Sequence, residues 1–167
     1  NRTGSQVIVD AAISLENISM YLSNDPAAVL ITHGHNDHIA HLKDYSRQYP
    51  SITILAHPDS NLNDQDYNFK EVHDNQEIII GEMRFRCFHT PGHYFDSICF
   101  QISPALFTGD TMFVGRTGRV KGTKSNIEEL YDSIYNKVLK LPKNLRVYPG
   151  HDYGNRPNVT LQENILN

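Results

Sequence analysis

The stretch VLITHGHNDHIAHLKDY, Val29 to Tyr45, decides how the rest of the chain is read. An apolar run ends at Thr32, and His33, His35, Asp37 and His38 follow at once. The run "AVLIT" over 28–32 reads as a buried strand, and Ile39, Leu42 and Tyr45 recur at helical spacing between Asp37 and Gln48. His33 and His35 stand two apart in an extended segment, so they project from the same side. Asp37 and His38 open the helix on another side. One short loop therefore offers two imidazoles to one cation, and a carboxylate plus an imidazole to a second.

Three more residues share that context. His93 follows "FHTPG", Asp110 follows "ALFTG" and His151 follows "VYPG". Each lies at or just beyond the C-terminal end of an apolar strand, the end that forms the ligand crevice of α/β sheets. The preceding glycine lets the backbone turn tightly and aim the next side chain back into the crevice. Four strand ends delivering His, His, Asp and His are hard to explain as core packing. Nitrogen and carboxylate ligands with an open position suit a catalytic zinc or iron site. A structural zinc site would draw on thiolates, and the only cysteines, Cys87 and Cys99, sit apart in strand-like stretches. His41, His57, His73 and His89 read as ordinary surface or core histidines.

Around these residues, strands alternate with helices, which makes the class α/β. "QVIVD" (6–10), "ITILA" (52–56), "SICFQI" (97–102), "ALFTGD" (105–110) and "LRVYP" (145–149) read as strands. "EIIIGEMRFRCFH" (77–89) reads as a hairpin turning near Gly81-Glu82, with Met83, Phe85 and Cys87 alternating against Arg84 and Arg86. Ser14 is expected to cap a helix whose Leu15, Ile18 and Leu22 share a face. Ser125 with Glu128 predicts a capping box for a helix reaching Leu141, striped by Ile127, Leu130, Tyr131, Ile134 and Val138. Thr160 with Glu163 predicts a cap for a short last helix. Hairpins beside helix-linked strands imply sheets packed on each other with helices outside.

The 167 residues suit one domain over 1–167. A net charge of −4 and a pI near 6.1 give no electrostatic argument for nucleic acid or anionic membranes as partners. No apolar run approaches the roughly 18 residues needed to span a bilayer. Two isolated cysteines point to a reducing compartment, the cytoplasm, or an organellar matrix if a leader precedes Asn1. The Asn-x-Ser/Thr sequons at Asn1, Asn17 and Asn158 read as chance. After Asp110, "GRTGRVKGTK" brings Arg116, Arg119, Lys121 and Lys124 close together, suited to binding a carboxylate or thiol-conjugate anion. Tyr153, two after His151, is placed to reach a substrate, and Tyr94 to narrow its pocket.

Taken together, "THGHNDH", "TPGH", "TGD" and "YPGHDYG" resemble the metallo-β-lactamase superfamily, from about residue 6 to the C-terminus. That resemblance implies an αββα four-layer sandwich, shortened at its N-terminus, with metals at one edge of two packed sheets. It implies a first site of His33, His35 and His93, a second of Asp37, His38 and His151, and Asp110 bridging. Two divalent ions would be held, zinc first, with iron or manganese as alternatives. Asp110 differs from the true β-lactamases, and His35 from the diiron electron-transfer branch. "LFTGDTMFVGRTGRVKGT" and "TPGHYFDSICF" are similar to the glyoxalase II-like (hydroxyacylglutathione hydrolase) group. Thr117 stands where that group usually carries a cysteine. Sixteen residues follow His151, so the group's helical C-terminal domain is expected to be absent.

The implied activity is hydrolysis of a small-molecule thioester by a metal-bridging hydroxide, with Asp37 and Asp110 as the catalytic carboxylates. The oligomeric state is left open. A persulfide dioxygenase-like enzyme, with one iron on His33, His93 and Asp110, is the runner-up. A metal-binding domain without catalysis is the third reading.

Overall fold

Alternating burial sorts the strands into two main sheets. In the computed structural model, which describes residues 4–62 and 66–166, β1 (Val7–Val9), β2 (Ala28–Leu30), β3 (Thr53–Ala56) and β4 (Phe69–Glu71) form a parallel sheet in that order. The second sheet uses β5 (Glu77–Ile80), β6 (Met83–His89), β7 (Ile98–Ile102), β8 (Ala105–Gly109), β11 (Arg146–Pro149) and β12 (Val159–Thr160), in the order β12-β11-β8-β7-β6-β5. Between β8 and β11, β9 (Met112–Phe113) and β10 (Arg116–Thr117) form a small hairpin. The helices are α1 (Leu15–Ile18), α2 (Asn36–Ile39), α3 (Leu42–Gln48), α4 (Ile127–Asp132) and α5 (Leu161–Ile165).

Three apolar layers follow. Between the sheets, Ala28, Leu30 and Leu55 meet Phe85, Cys87, Ile98 and Phe100. Outside the parallel sheet, Val29, Ile31 and Ile54 pack on Leu42 and Tyr45 of α3, with Leu15 and Ile18 of α1 beside them. Outside the second sheet, Phe88, Cys99, Leu106 and Val147 pack on Leu130, Ile134, Val138 and Leu161. Helix, sheet, sheet, helix is the αββα sandwich, and each large side chain buried in it contributes roughly 1.5–3 kcal/mol. Among the described residues no helix is long and apolar enough to cross a membrane.

Strand direction sets where the site can form. Strands β6 and β8 each run antiparallel to β7, and β11 runs parallel to β8. The C-terminal ends of β6, β8 and β11 therefore share one rim. The N–H of Ile98, which opens β7, donates to the Thr32 carbonyl just past β2 at 2.7 Å, which joins that rim to the parallel sheet.

Several expectations change in detail. The helix expected over 37–48 is two, α2 and α3, separated at Ala40-His41. Ser14 occupies the N-cap of α1 without a side-chain hydrogen bond, and the turn passes into a 3₁₀ segment, Ser19–Tyr21. Asn126 caps α4 in place of Ser125, its side chain accepting from the amides of Glu128 and Glu129; the Ser125 hydroxyl donates to the Gly122 carbonyl. Of the expected stripe, Leu130, Ile134 and Val138 are buried, whereas Ile127 and Tyr131 are exposed. The Thr160–Glu163 capping box forms as expected. The Asn1 sequon lies outside the described residues.

Candidate metal centre

The rim gathers all seven expected ligands. His33 leaves β2, His35 stands at the N-cap of α2, and Asp37 and His38 lie in its first turn. His93 comes from the β6–β7 connection, Asp110 follows β8 and His151 follows β11. His33 Nε2 is 2.9 Å and His93 Nε2 is 3.1 Å from His35 Nδ1. Bonds of about 2.0–2.1 Å to one tetrahedral ion place ligand nitrogens about 3.3 Å apart. On the other side, His151 Nε2 is 3.2 Å from Asp37 Oδ2. Asp110 lies between, with Oδ1 3.4 Å from His38 Nε2, and Oδ2 3.6 Å from His93 Nε2 and 3.5 Å from His151 Nε2. Two triads result, His33/His35/His93 and Asp37/His38/His151, and Asp110 joins them through a third group, His33/His38/Asp110.

Ring orientations are fixed from behind. His38 Nδ1–H donates to Asp10 Oδ2 at 2.7 Å. The Thr32 hydroxyl donates to the same oxygen at 2.8 Å, which leaves it to accept from His33 Nδ1–H at 3.2 Å. His93 Nδ1–H donates to the Arg119 carbonyl at 2.7 Å. With those Nδ1 positions donating, the Nε2 atoms of His33, His38 and His93 point into the centre, as carboxylate- or carbonyl-backed metal histidines require.

Asp10 was not singled out in the sequence. It ends "QVIVD" as Asp110 ends "ALFTGD", and that shared context was the available signal. Its backbone is left-handed at φ 60°, a conformation that costs roughly 1–2 kcal/mol outside glycine. That turn lets its carboxylate serve one imidazole in each triad.

The loop carrying His93 is gripped by the helix beneath it. After α4 the chain widens into a π-helical turn, Ser133–Lys137. Ser133 Oγ donates to the Pro91 carbonyl at 2.7 Å, and Lys137 Nζ donates to the His89 carbonyl at 2.7 Å and to Asp74 Oδ2 at 3.0 Å. The Asn126 N–H donates to the Gly92 carbonyl at 2.8 Å. Gly92 sits at φ 129° against the Leu130 backbone, where a Cβ would overlap it.

Electrostatics favour a cation. Burial, then the neighbouring imidazoles, push His33 far below the usual imidazole range, so it is a neutral donor. His35 is lowered for the same two reasons, burial first. Burial also acts to lower His38, but Asp10 and Asp110 outweigh it and raise it to about 10. Burial would raise Asp110, yet His38, His151 and His93 hold its carboxyl below the usual range. An imidazole between two carboxylates thus calls for positive charge at its Nε2. His38 Nε2 and Asp110 Oδ1 are buried, and among the described residues each has only the other, at 3.4 Å, to offset that burial. Buried polar atoms are costly unless paired, and a divalent ion fits both.

A cavity of about 520 Å³ opens over the centre, lined by His35, Asp37, His93, Asp110 and His151 on its floor. Arg116, Arg119, Tyr153 and Phe113 form its walls. The Tyr153 ring stacks on His151 at 5.0 Å. Lys121 and Lys124 do not line it. Tyr94 is not among its lining residues; its ring lies against His35 at 4.1 Å. Of the histidines set aside, His57 and His89 stack on each other at 4.1 Å, outside both triads.

Known proteins resemble this chain. A hydroxyacylglutathione hydrolase of Francisella tularensis subsp. novicida (strain U112) is 40% identical over 128 residues, 75% of this chain and 49% of that protein. The chain thus spans about half the length of that curated relative. PksB of Bacillus subtilis (strain 168), a probable polyketide biosynthesis zinc-dependent hydrolase, is 31% identical over 167 residues, 95% of this chain and 72% of its own. The crystal structure of ETHE1 from Myxococcus xanthus superposes with a TM-score of 0.82 at 30% identity, covering 96% of this chain and 71% of its own. The profile of the metallo-β-lactamase superfamily matches residues 2–151, a span that holds all seven candidate ligands and Asp10. With its αββα layers and its candidate ligands on one shared rim, the chain belongs to the metallo-β-lactamase superfamily.

Proposed function

We propose that this protein is a dinuclear metal-dependent hydrolase of a small-molecule thioester. The observation that carries the reading is the convergence of two ligand triads on Asp110, with His38 Nε2 and Asp110 Oδ1 buried and facing each other at 3.4 Å. His33, His35 and His93 would hold one ion, Asp37, His38 and His151 the other, and Asp110 would serve both. Divalent ions in such a site supply an ionised water near neutral pH and polarise a carbonyl.

The chain's own groups do the rest. Asp10, Thr32 and the Arg119 carbonyl keep three imidazoles in the tautomer that presents Nε2. Asp37, whose side chain is 61% exposed, stands at the cavity floor where a proton can leave to solvent. Arg116 and Arg119 lie where they can bind an anionic group on the acyl or thiol part. Phe113 and the stacked Tyr153 give the cavity an apolar wall on the His151 side. A thioester suits the arrangement, since a thiolate leaves with little acid assistance. The hydroxyacylglutathione hydrolase likeness at 40% identity supports the same substrate class.

Metal content and hydrolysis of a lactoyl-thiol ester, measured on one aerobic preparation, test the reading. About two zincs per chain with turnover is the expected result. One iron per chain with oxygen uptake on a persulfide would replace it with the oxygenase reading. Bound metal without turnover of any thioester or persulfide would replace it with a non-catalytic metal-binding domain.

A further inference from the structure

Asp96 lies outside both triads, and its carboxylate is nearly inaccessible, with the residue 2% exposed. Both of its oxygens face the N–H of Gly34, at 3.1 and 3.3 Å. Gly34 is the residue between His33 and His35. A Cβ at position 34 would lie 2.8 Å from Asp96 Oδ2, so the carboxylate occupies the space a side chain there would need. Asp96 also stands three residues after His93, in the same connection between β6 and β7. It thereby ties the loop that carries His93 to the loop that carries His33 and His35.

The surroundings reinforce the tie. The Tyr94 ring lies on His35 at 4.1 Å and meets His33 edge-on at 6.1 Å. Lys124 places its ammonium 5.5 Å over the Tyr94 ring and 5.1 Å over the Phe95 ring. A cation thus caps the outside of the segment whose inside holds the carboxylate. Burying a carboxylate is expensive, and an apolar side chain would fill the space at less cost. Such a group is retained where its hydrogen bond does something packing cannot.

We propose that Asp96 is a positioning residue for the His33/His35/His93 triad, setting the metal affinity of that triad and not of Asp37/His38/His151. The inference rests on the dinuclear reading. Asp96 reaches both loops that bear the three nitrogens of the first triad, one through Gly34 and the other through its own chain. None of its hydrogen bonds goes to Asp37, His38 or His151. Asp10 serves an imidazole in each triad, so the two buried carboxylates have different reach.

The test is a metal titration of the full chain, with zinc by calorimetry and with cobalt(II) by its visible absorption. Wild type is expected to take up two equivalents. Asp96→Ala should bind one as wild type does and the other about 10–100-fold more weakly, the usual effect of losing a group that backs a ligand. Asp96→Asn keeps an acceptor for the Gly34 N–H and should return that equivalent to within a few-fold of wild type. In His151→Ala, which retains only the first triad intact, adding Asp96→Ala must weaken the remaining strong equivalent. Two unchanged equivalents in Asp96→Ala, or equal weakening of both, would overturn the proposal.

Hydrogen exchange at the Gly34 amide in the wild-type protein provides a readout that needs no variant. Protection in the metal-free chain is expected, and rapid exchange there counts against Asp96. A wild-type chain that takes up no metal defeats the dinuclear reading instead, and the Gly34 measurement is read independently of it.

Discussion

The two sheets build the same centre by opposite means. The parallel sheet delivers His33, His35, Asp37 and His38 from one loop and the helical turn after it, six residues from first to last. The second sheet delivers His93, Asp110 and His151 from three separate strand ends, brought to one rim by strand direction. The first contribution is local and needs only a strand, a turn and a helix start. The second needs the whole sheet to be in register before any of its ligands reaches the site. A local loop without the second sheet would be a cluster of imidazoles with no bridging carboxylate.

That contrast is breakable first at Asp110, the second sheet's group that faces both triads. Asp110→Ala should lower kcat/KM on a thioester about 1,000-fold, the equivalent of several kcal/mol of charge stabilisation, while circular dichroism stays that of the folded chain. A loss below tenfold would mean the first loop can work without it.

Next comes the packing that puts the second sheet's ligands in place. Phe100 is fully buried between the sheets. Phe100→Ala should cost about 3–5 kcal/mol in urea unfolding, whereas Ile79→Ala, at an exposed position of β5, should stay within about 0.5 kcal/mol. Equal effects would deny that the sheets form one packed unit.

A smaller effect is expected at the cavity wall. Arg119→Ala should raise KM for an anionic thioester about tenfold with kcat little changed, the pattern of lost uniform binding. A fall in kcat alone would move Arg119 from substrate binding to support of His93, because its carbonyl already holds that ring.

The smallest is at the last helix, which packs outside the second sheet. Hydrogen bonds from Thr160, then the pairing with Arg156, hold the Glu163 carboxyl down at about 2, below its usual 4.5. A carboxyl depressed on folding stabilises above its unfolded pKa. The benefit is lost as pH falls from 4.5 toward 2. Glu163→Gln should therefore lower Tm slightly at pH 7 and leave it unchanged near pH 2, as read by thermal melts at the two pH values.

Much of the centre was legible because ligand spacing is a local property. Two histidines separated by one residue, followed by Asp-His, constrain the backbone whatever the rest of the chain does. His93, Asp110 and His151 were legible from a different signal, a glycine ending an apolar strand. Asp10 was missed because its work is done through Thr32 and His38, not through spacing. Asp96 was missed because a carboxylate within "YFDS" carries no pattern. The sequence offers Ser125 as the cap of α4 where Asn126 serves, since either side chain can cap and only the turn before the helix decides. Strands β4, β9, β10 and β12, of two or three residues each, are too short to show a period. The π-helical turn at Ser133–Lys137 is equally silent in sequence, being set by what Ser133 and Lys137 must reach.

Neither triad belongs to one sheet. His33 and His35 need His93 from across the gap, and Asp37 and His38 need His151. Ions held there would rivet the mouth of the sandwich shut, two fasteners side by side over an interior that packing alone keeps closed. Chelation should then raise amide exchange around His93 and His151 while leaving the strands about Phe100 protected, so that the lip of the molecule loosens and its seam does not.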